Sequence, residues 1–250
     1  MKNVLAILLL SMVGVAFGGE CKGVFKCYDD RVNKWINSQI GVELSGHYTY
    51  LYLAQIFEHH TRHYPKVAKY LRAKSAEELS HAERFIEYQN QRGGTVDMPT
   101  VSRYTEGSCV DVKDIKTAFK CAMELEAHVT RQLTQLHNDA SEVKKEFSNQ
   151  CSGVDDIDDD DLRLTQPLLI TCTVGENSAT TTSTMNACTC DSIQSIQYVE
   201  LAEMIAHEFL GHQVEDTKEI ANHYRNVLKL QSADGAPGLG DFIFDKHLEL

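Results

Sequence analysis

Four stretches of this chain run for about 28 residues or more without an internal proline, and only 4 of the 250 residues are proline. The first extends from about Asp29 to Glu58. Asp29 or Asp30 can cap it by accepting a backbone N–H. Trp35, Ile36, Ile40, Leu44, Leu51 and Phe57 recur along it at a loosely helical spacing. The second extends from about Pro65 to Arg92. Pro65 suits a first helical position, and Gly93-Gly94 supplies a left-handed stop. The third runs from about Asp111 to Phe147, with Ile115, Phe119, Met123 and Leu133 facing inward. The fourth runs from about Ser192 to Leu230. Gly235-Ala236-Pro237-Gly238 then breaks the chain before a short apolar piece, Leu239 to His247.

Rods of this length are roughly 42 Å long at 1.5 Å per residue. None can bury its apolar stripe alone, so they pack on one another. The expected fold is all-α, an antiparallel four-helix bundle. Its one long crossover is the segment Gly93 to Ser108, which carries a proline and no periodicity. Leu168 to Thr171 is the weak exception, a short run that can pair as a strand.

The first residues read as a leader rather than as part of the bundle. Met1-Lys2-Asn3 is a short positive start, Val4 to Phe17 is apolar, and Ala16-Phe17-Gly18 has the small-x-small pattern of a processing site. The apolar run is short for a membrane span of about 20 residues. The expectation is a signal peptide over residues 1–18, a secreted domain over 19–250, and no membrane partner. The 24 Lys and Arg against 36 Asp and Glu exclude the basic footprint of a nucleic-acid binder and favour cations as partners. Eight cysteines in a secreted chain permit disulfides. They are expected at Cys21/Cys27 and within the group Cys151 to Cys190, with Cys109 and Cys121 as free buried thiols.

Between the third and fourth helices lies an insertion, about residues 150–191. Asp155 to Asp161 holds six aspartates in seven residues, and four cysteines fall nearby. A solvated, disulfide-tied surface insertion accounts for this composition. The Asp run lacks the glycine and closing glutamate of an EF-hand loop.

The chemistry centres on Glu77-Glu78-Leu79-Ser80-His81. Glu78 and His81, three apart on one helix, can reach one atom, and carboxylate with imidazole suits first-row metals such as iron. Glu43 and Tyr50 are seven apart on the first helix. Glu126 lies mid-way along the third and Gln213 mid-way along the fourth. Each rod thus offers a polar group near its middle, and several buried carboxylates together imply a cation. His207-Glu208-Phe209-Leu210-Gly211-His212 imitates a zinc-protease helix. Its histidines are five apart, however, about 140° around a straight helix. His59, His60 and His63 close the first helix and are expected in solvent.

These residues resemble the ferroxidase (H) type of ferritin subunit. The matching blocks are Gly41 to Tyr50, Ala76 to Gly94, Leu125-Glu126 through Leu136-His137, His212-Gln213-Val214 and Phe244 to His247. The resemblance implies a ferritin-like bundle with a short fifth C-terminal helix. It also implies a hollow shell of about 24 subunits. Residue by residue, the resemblance implies these roles: Glu43, Glu78 and His81 hold a first iron. Glu78 bridges to a second, which Glu126 completes. Gln213 orients a bound water or oxygen species, Tyr50 is the supporting tyrosine, and Glu77 is a mobile accessory carboxylate. The activity the resemblance implies is oxidation of paired Fe(II) by dioxygen, with the Fe(III) stored as mineral. The leader and insertion resemble the secreted yolk ferritins of molluscs.

Two departures stand out. Ser80 replaces a carboxylate of the family's nucleating cluster, leaving Glu77 and Glu83. Glu203 matches one acid of the three-fold channel, but Ala206 stands at the other. The Asp run is a candidate substitute, gathering iron by its field. Two other readings differ in class: a non-catalytic yolk iron store, and a di-iron enzyme acting on peroxide or an organic substrate. The second would carry another Glu-x-x-His on the fourth helix, where Leu210, Gln213 and Asp216 stand instead.

Overall fold

A computed structural model describes residues 28–152, 171–172, 198–232 and 238–249; for 144–152 and 171–172 it describes the backbone. Helix α1 is Asp30–Glu58, and Asp29 caps it by accepting the Arg31 N–H at 2.7 Å. Its buried face steps by three or four residues through Val32, Ile36, Ile40, Glu43, Gly46, Tyr50, Leu53 and Phe57. Trp35, Leu44 and Leu51, expected on that stripe, lie half-buried along its edges. Glu43 therefore sits on the stripe itself. Helix α2 is Pro65–Gln91 with Pro65 in its first turn. It ends as expected: Gly93 adopts φ 77°, and the Gly94 N–H donates to the Gln89 carbonyl at 2.9 Å.

The connection after α2 runs alongside α1 in the same direction. The Thr95 N–H donates to Asn33 Oδ1 at 2.8 Å, the Asp97 N–H to Asn37 Oδ1 at 2.9 Å, and the Tyr104 N–H to Thr49 Oγ1 at 2.8 Å. Side chains of α1 thus satisfy backbone groups that no regular element pairs. The chain is thereby carried the length of the bundle before α3, Ile115–Gln150, begins. This is the expected long crossover. Helix α4 covers residues 198–232, with a π-helical stretch at Ile205–Leu210 followed by Gly211–Ser232. Helix α5, Leu239–His247, folds back on α4 and α2. Its buried Asp245 accepts the N–H groups of Lys66 and Val67 at 2.9 and 3.0 Å, so the fifth helix caps the second. Two residues at the end of α3, Cys151–Ser152, pair antiparallel with Thr171–Cys172.

One expectation is corrected. Cys109 and Cys121 are joined in a disulfide, with Cα atoms 4.7 Å apart. A 3-10 turn at Gly107–Cys109 folds back on the start of α3. There the Ser108 N–H and hydroxyl donate to the two carboxylate oxygens of Glu124 at 2.6 and 3.1 Å. Gly107 takes φ 53° in that turn, and the fold-back brings the two sulfurs together. The leader, Cys21, Cys27, the Asp run and the cysteine side chains from Cys151 to Cys190 lie outside the described residues. No described helix is long and apolar enough to cross a membrane.

Candidate metal centre

Mid-way along the bundle the apolar stripes of α1, α2 and α3 are interrupted by acids. Glu43, Glu78 and Glu126 are at most 3% exposed. Ligand atoms of Glu43, Glu78 and His81 all lie within 4.8 Å of one another. His81 Nδ1 is 3.6 Å from Glu78 Oε2 and 3.9 Å from Glu43 Oε2. The i, i+3 pair on α2 thus meets the acid of α1.

Each carboxylate of α1 and α3 has one oxygen held and one free. Gln39 Nε2, one turn earlier on α1, donates to Glu43 Oε1 at 2.7 Å. The Tyr50 hydroxyl donates to Glu126 Oε1. Gln213 adjoins Glu126 and is itself held by the Thr130 hydroxyl, which donates to Gln213 Oε1 at 2.9 Å. Four buried atoms are left without a hydrogen-bond partner here: Glu43 Oε2, Glu78 Oε2, Glu126 Oε2 and His81 Nδ1. Buried polar atoms are nearly always satisfied, so four orphaned ligand atoms in one place fit a cation. Oxygen donors with one imidazole suit iron as well as other first-row metals.

The electrostatics agree. Burial pushes the Glu43 and Glu78 carboxyls well above the usual carboxylate range. The Glu78 charge adds to the rise at Glu43, and the Glu126 charge adds to it at Glu78. Burial raises Glu126 to about 7, although the Tyr50 hydrogen bond opposes the rise. Burial also raises Tyr50, which therefore stays a donor. Close carboxylates repelling one another in a dry interior are the condition a divalent ion relieves.

The structure brings Glu43, Glu78, His81, Glu126, Tyr50 and Gln213 to one region. Glu77 is not among the clustered ligand atoms: its Oε2 accepts from the Lys74 ammonium at 2.9 Å, and the residue lines the cleft beside His81. Several residues that shape the site went unnoticed in the sequence. A Cβ at Gly46 would lie 3.1–3.3 Å from the Glu78 side chain, so glycine makes room for that carboxylate. The Phe209 ring meets His81 edge-on at 5.4 Å and stacks on Phe85 at 4.4 Å, bracing the imidazole. The spacing of Gln39 before Glu43 was the one readable signal. His81 also lines an open cleft of about 520 Å³, with Ser80, Arg84, His207, Glu208 and His212. His207 and His212 join no three-ligand group among the described residues. The α4 backbone there is π-helical rather than straight, so the 140° estimate does not apply. His59, His60 and His63 are exposed, as expected.

A long-crossover bundle with a carboxylate and histidine cluster at its middle defines the ferritin-like class of metal-handling helical proteins. Residues 33–150 match the family model for the ferritin-like domain. The chain is 26% identical over 215 residues to the soma ferritin of Lymnaea stagnalis, covering 85% of this chain and 87% of that one. Residues 33–150 thus carry a ferritin-like domain, and the chain is similar to a molluscan ferritin.

Proposed function

We propose that this chain is a secreted, catalytically active ferritin subunit. It oxidises Fe(II) with dioxygen and stores the product as mineral inside a shell of about 24 subunits. The observation that carries this reading is the set of four orphaned ligand atoms, on Glu43, Glu78, Glu126 and His81. Iron is the substrate. Two Fe(II) ions occupy the pocket, Glu78 between them, with Glu43 and His81 on one side and Glu126 on the other. Each ion yields one electron. Two Fe(II), one dioxygen and two protons become two Fe(III) and one hydrogen peroxide, which balances atoms and charge.

The protein's own contribution is orientation. Gln39 and Tyr50 each pin one carboxylate oxygen and so aim the other inward. The Phe209 and Phe85 rings hold the imidazole plane. Oxygen-rich ligands favour the harder Fe(III) product, and the cleft beside His81 gives it a way out. Gln213, next to Glu126, orients the oxygen species, and the charge of the Asp run attracts iron.

The test is stopped-flow oxidation of Fe(II) added to purified apo-protein, followed by sizing of the product. The Glu43→Ala/His81→Ala double variant is expected to fall by about 100-fold or more, towards the rate in buffer. A rate within twofold of the parent's overturns the catalytic reading and favours passive storage.

A further inference from the structure

Beside the metal pocket lies a second acidic group that needs no ion. Lys74 is only 8% exposed. Its Nζ lies 2.5 Å from Asp216 Oδ1, 2.9 Å from Glu77 Oε2 and 3.7 Å from Glu219 Oε2. Three carboxylates from two helices around one point is a cation's environment. Here the cation is a side chain. Burial opposes the ammonium charge, but the hydrogen bonds it donates to Asp216 and Glu77 outweigh that and raise the Lys74 pKa. One turn earlier on α2, the buried Tyr70 hydroxyl has no hydrogen-bond partner and lies in the field of Glu219, Asp216, Glu126 and Glu77.

The two acidic groups are adjacent. The charges of Glu77 and Asp216 act on Glu78, and those of Asp216 and Lys74 act on Glu126. Stripped of its ammonium, the outer group would hold several acids without a counter-charge next to a pocket built to take up metal. A tethered ammonium competes at high effective concentration with any free ion.

We propose that Lys74 is a built-in counter-ion that occupies the place where Glu77, Asp216 and Glu219 would otherwise hold a third metal ion, confining metal to the inner pocket. It is a positioning residue. By engaging Glu77 it also keeps that carboxylate away from the inner ligands. This inference rests on the inner pocket of Glu43, Glu78, His81 and Glu126 being the metal centre.

Zinc, which is redox-inert, reports occupancy. Assembled apo-protein is titrated with Zn²⁺ by calorimetry, and zinc per subunit is counted by elemental analysis after desalting. Lys74→Gln and Lys74→Met should each bind one more zinc per subunit than the parent. Lys74→Arg should bind no more, and Lys74→Gln/Asp216→Asn should lose the extra ion. Asp216→Asn alone should keep the parent count, since its acids hold an ammonium rather than a metal. Equal counts in the parent and both neutral variants overturn the proposal, as does a gain in Lys74→Arg. If neither neutral variant folds, Asp216→Asn decides: a lost zinc overturns the proposal and an unchanged count supports it. Glu78→Gln keeps the two readings apart. It should lower the count in the parent and in Lys74→Gln alike. A parent whose zinc count ignores Glu78→Gln refutes the inner pocket, whereas a missing extra ion in Lys74→Gln refutes only the role of Lys74.

Discussion

Two acidic groups sit side by side in this bundle and solve the same problem in opposite ways. Glu43, Glu78 and Glu126 are buried with one oxygen each left unpaired, and no lysine or arginine forms an ion pair with them among the described residues. Glu77, Asp216 and Glu219 surround an ammonium supplied by the chain. The first arrangement costs the apo-protein stability and gains affinity for a cation. The second is neutralised in advance and has little left to offer one. An acid-rich region is therefore not by itself a metal site; what decides is whether the protein has already supplied the counter-charge.

The strongest way to break this comparison is to neutralise one acid from each group. Glu78→Gln should lower Fe(II) oxidation by about 100-fold or more, since in the proposed reading it removes the carboxylate that both ions share. It should also stabilise the apo-protein by about 1–3 kcal/mol, because a costly buried charge is gone. Asp216→Asn should do the reverse to stability, costing about 1–3 kcal/mol, because the Lys74 ammonium loses its closest partner. Thermal unfolding of the two apo-variants decides this. Shifts of the same sign would show that the groups are not different in kind.

Tyr50→Phe sharpens the inner half. It releases Glu126 Oε1, and the zinc affinity of the pocket should fall by about tenfold in calorimetry. A variant with parental affinity would mean that Tyr50 does not position Glu126.

The pH dependence separates the groups further. Glu126 titrates near 7 in the fold, above its ordinary value of 4.5, so it is protonated more readily folded than unfolded. Its contribution to apo-stability is full below about 4.5 and is lost as pH rises towards 7. Lys74, with its pKa raised, keeps its contribution through that window and loses it only above the ordinary lysine range. Between pH 4.5 and 7.5 the apo-parent should therefore lose stability relative to Glu126→Gln. Zinc binding at pH 6 should release protons, read as a dependence of calorimetric heat on buffer. Parallel pH profiles for parent and variant would remove Glu126 from the titrating group.

Gly46→Ala is the mildest probe. Its Cβ would press on the Glu78 side chain at 3.1–3.3 Å, so metal affinity should drop by about fivefold, near 1 kcal/mol. The Lys74 cluster should be untouched.

Much of this was legible in the sequence because it is local. Asp29, Pro65 and Gly93-Gly94 mark helix ends through backbone chemistry within a few residues. Glu78 and His81 share a face because three residues nearly complete a turn. Other features were hidden for an equally physical reason. Cys109 and Cys121 are joined only because a turn held by Glu124 folds back on α3, which spacing does not encode. The π-helical stretch at Ile205–Leu210 shifts the facing of His207 and His212, and no residue type announces it. Asp245 looks like an ordinary surface acid until α5 docks it on the first turn of α2.

The sequence by itself determined the rods, their ends, the crossover and the acids available at mid-height, since periodicity and capping act over a turn or less. Only the tertiary structure decided that Tyr50 pins Glu126, which carboxylate oxygens are left free, and which acids Lys74 had already claimed. Those outcomes depend on separations of a few ångströms between residues up to 142 positions apart, and side-chain chemistry acquires that geometry only when the helices pack.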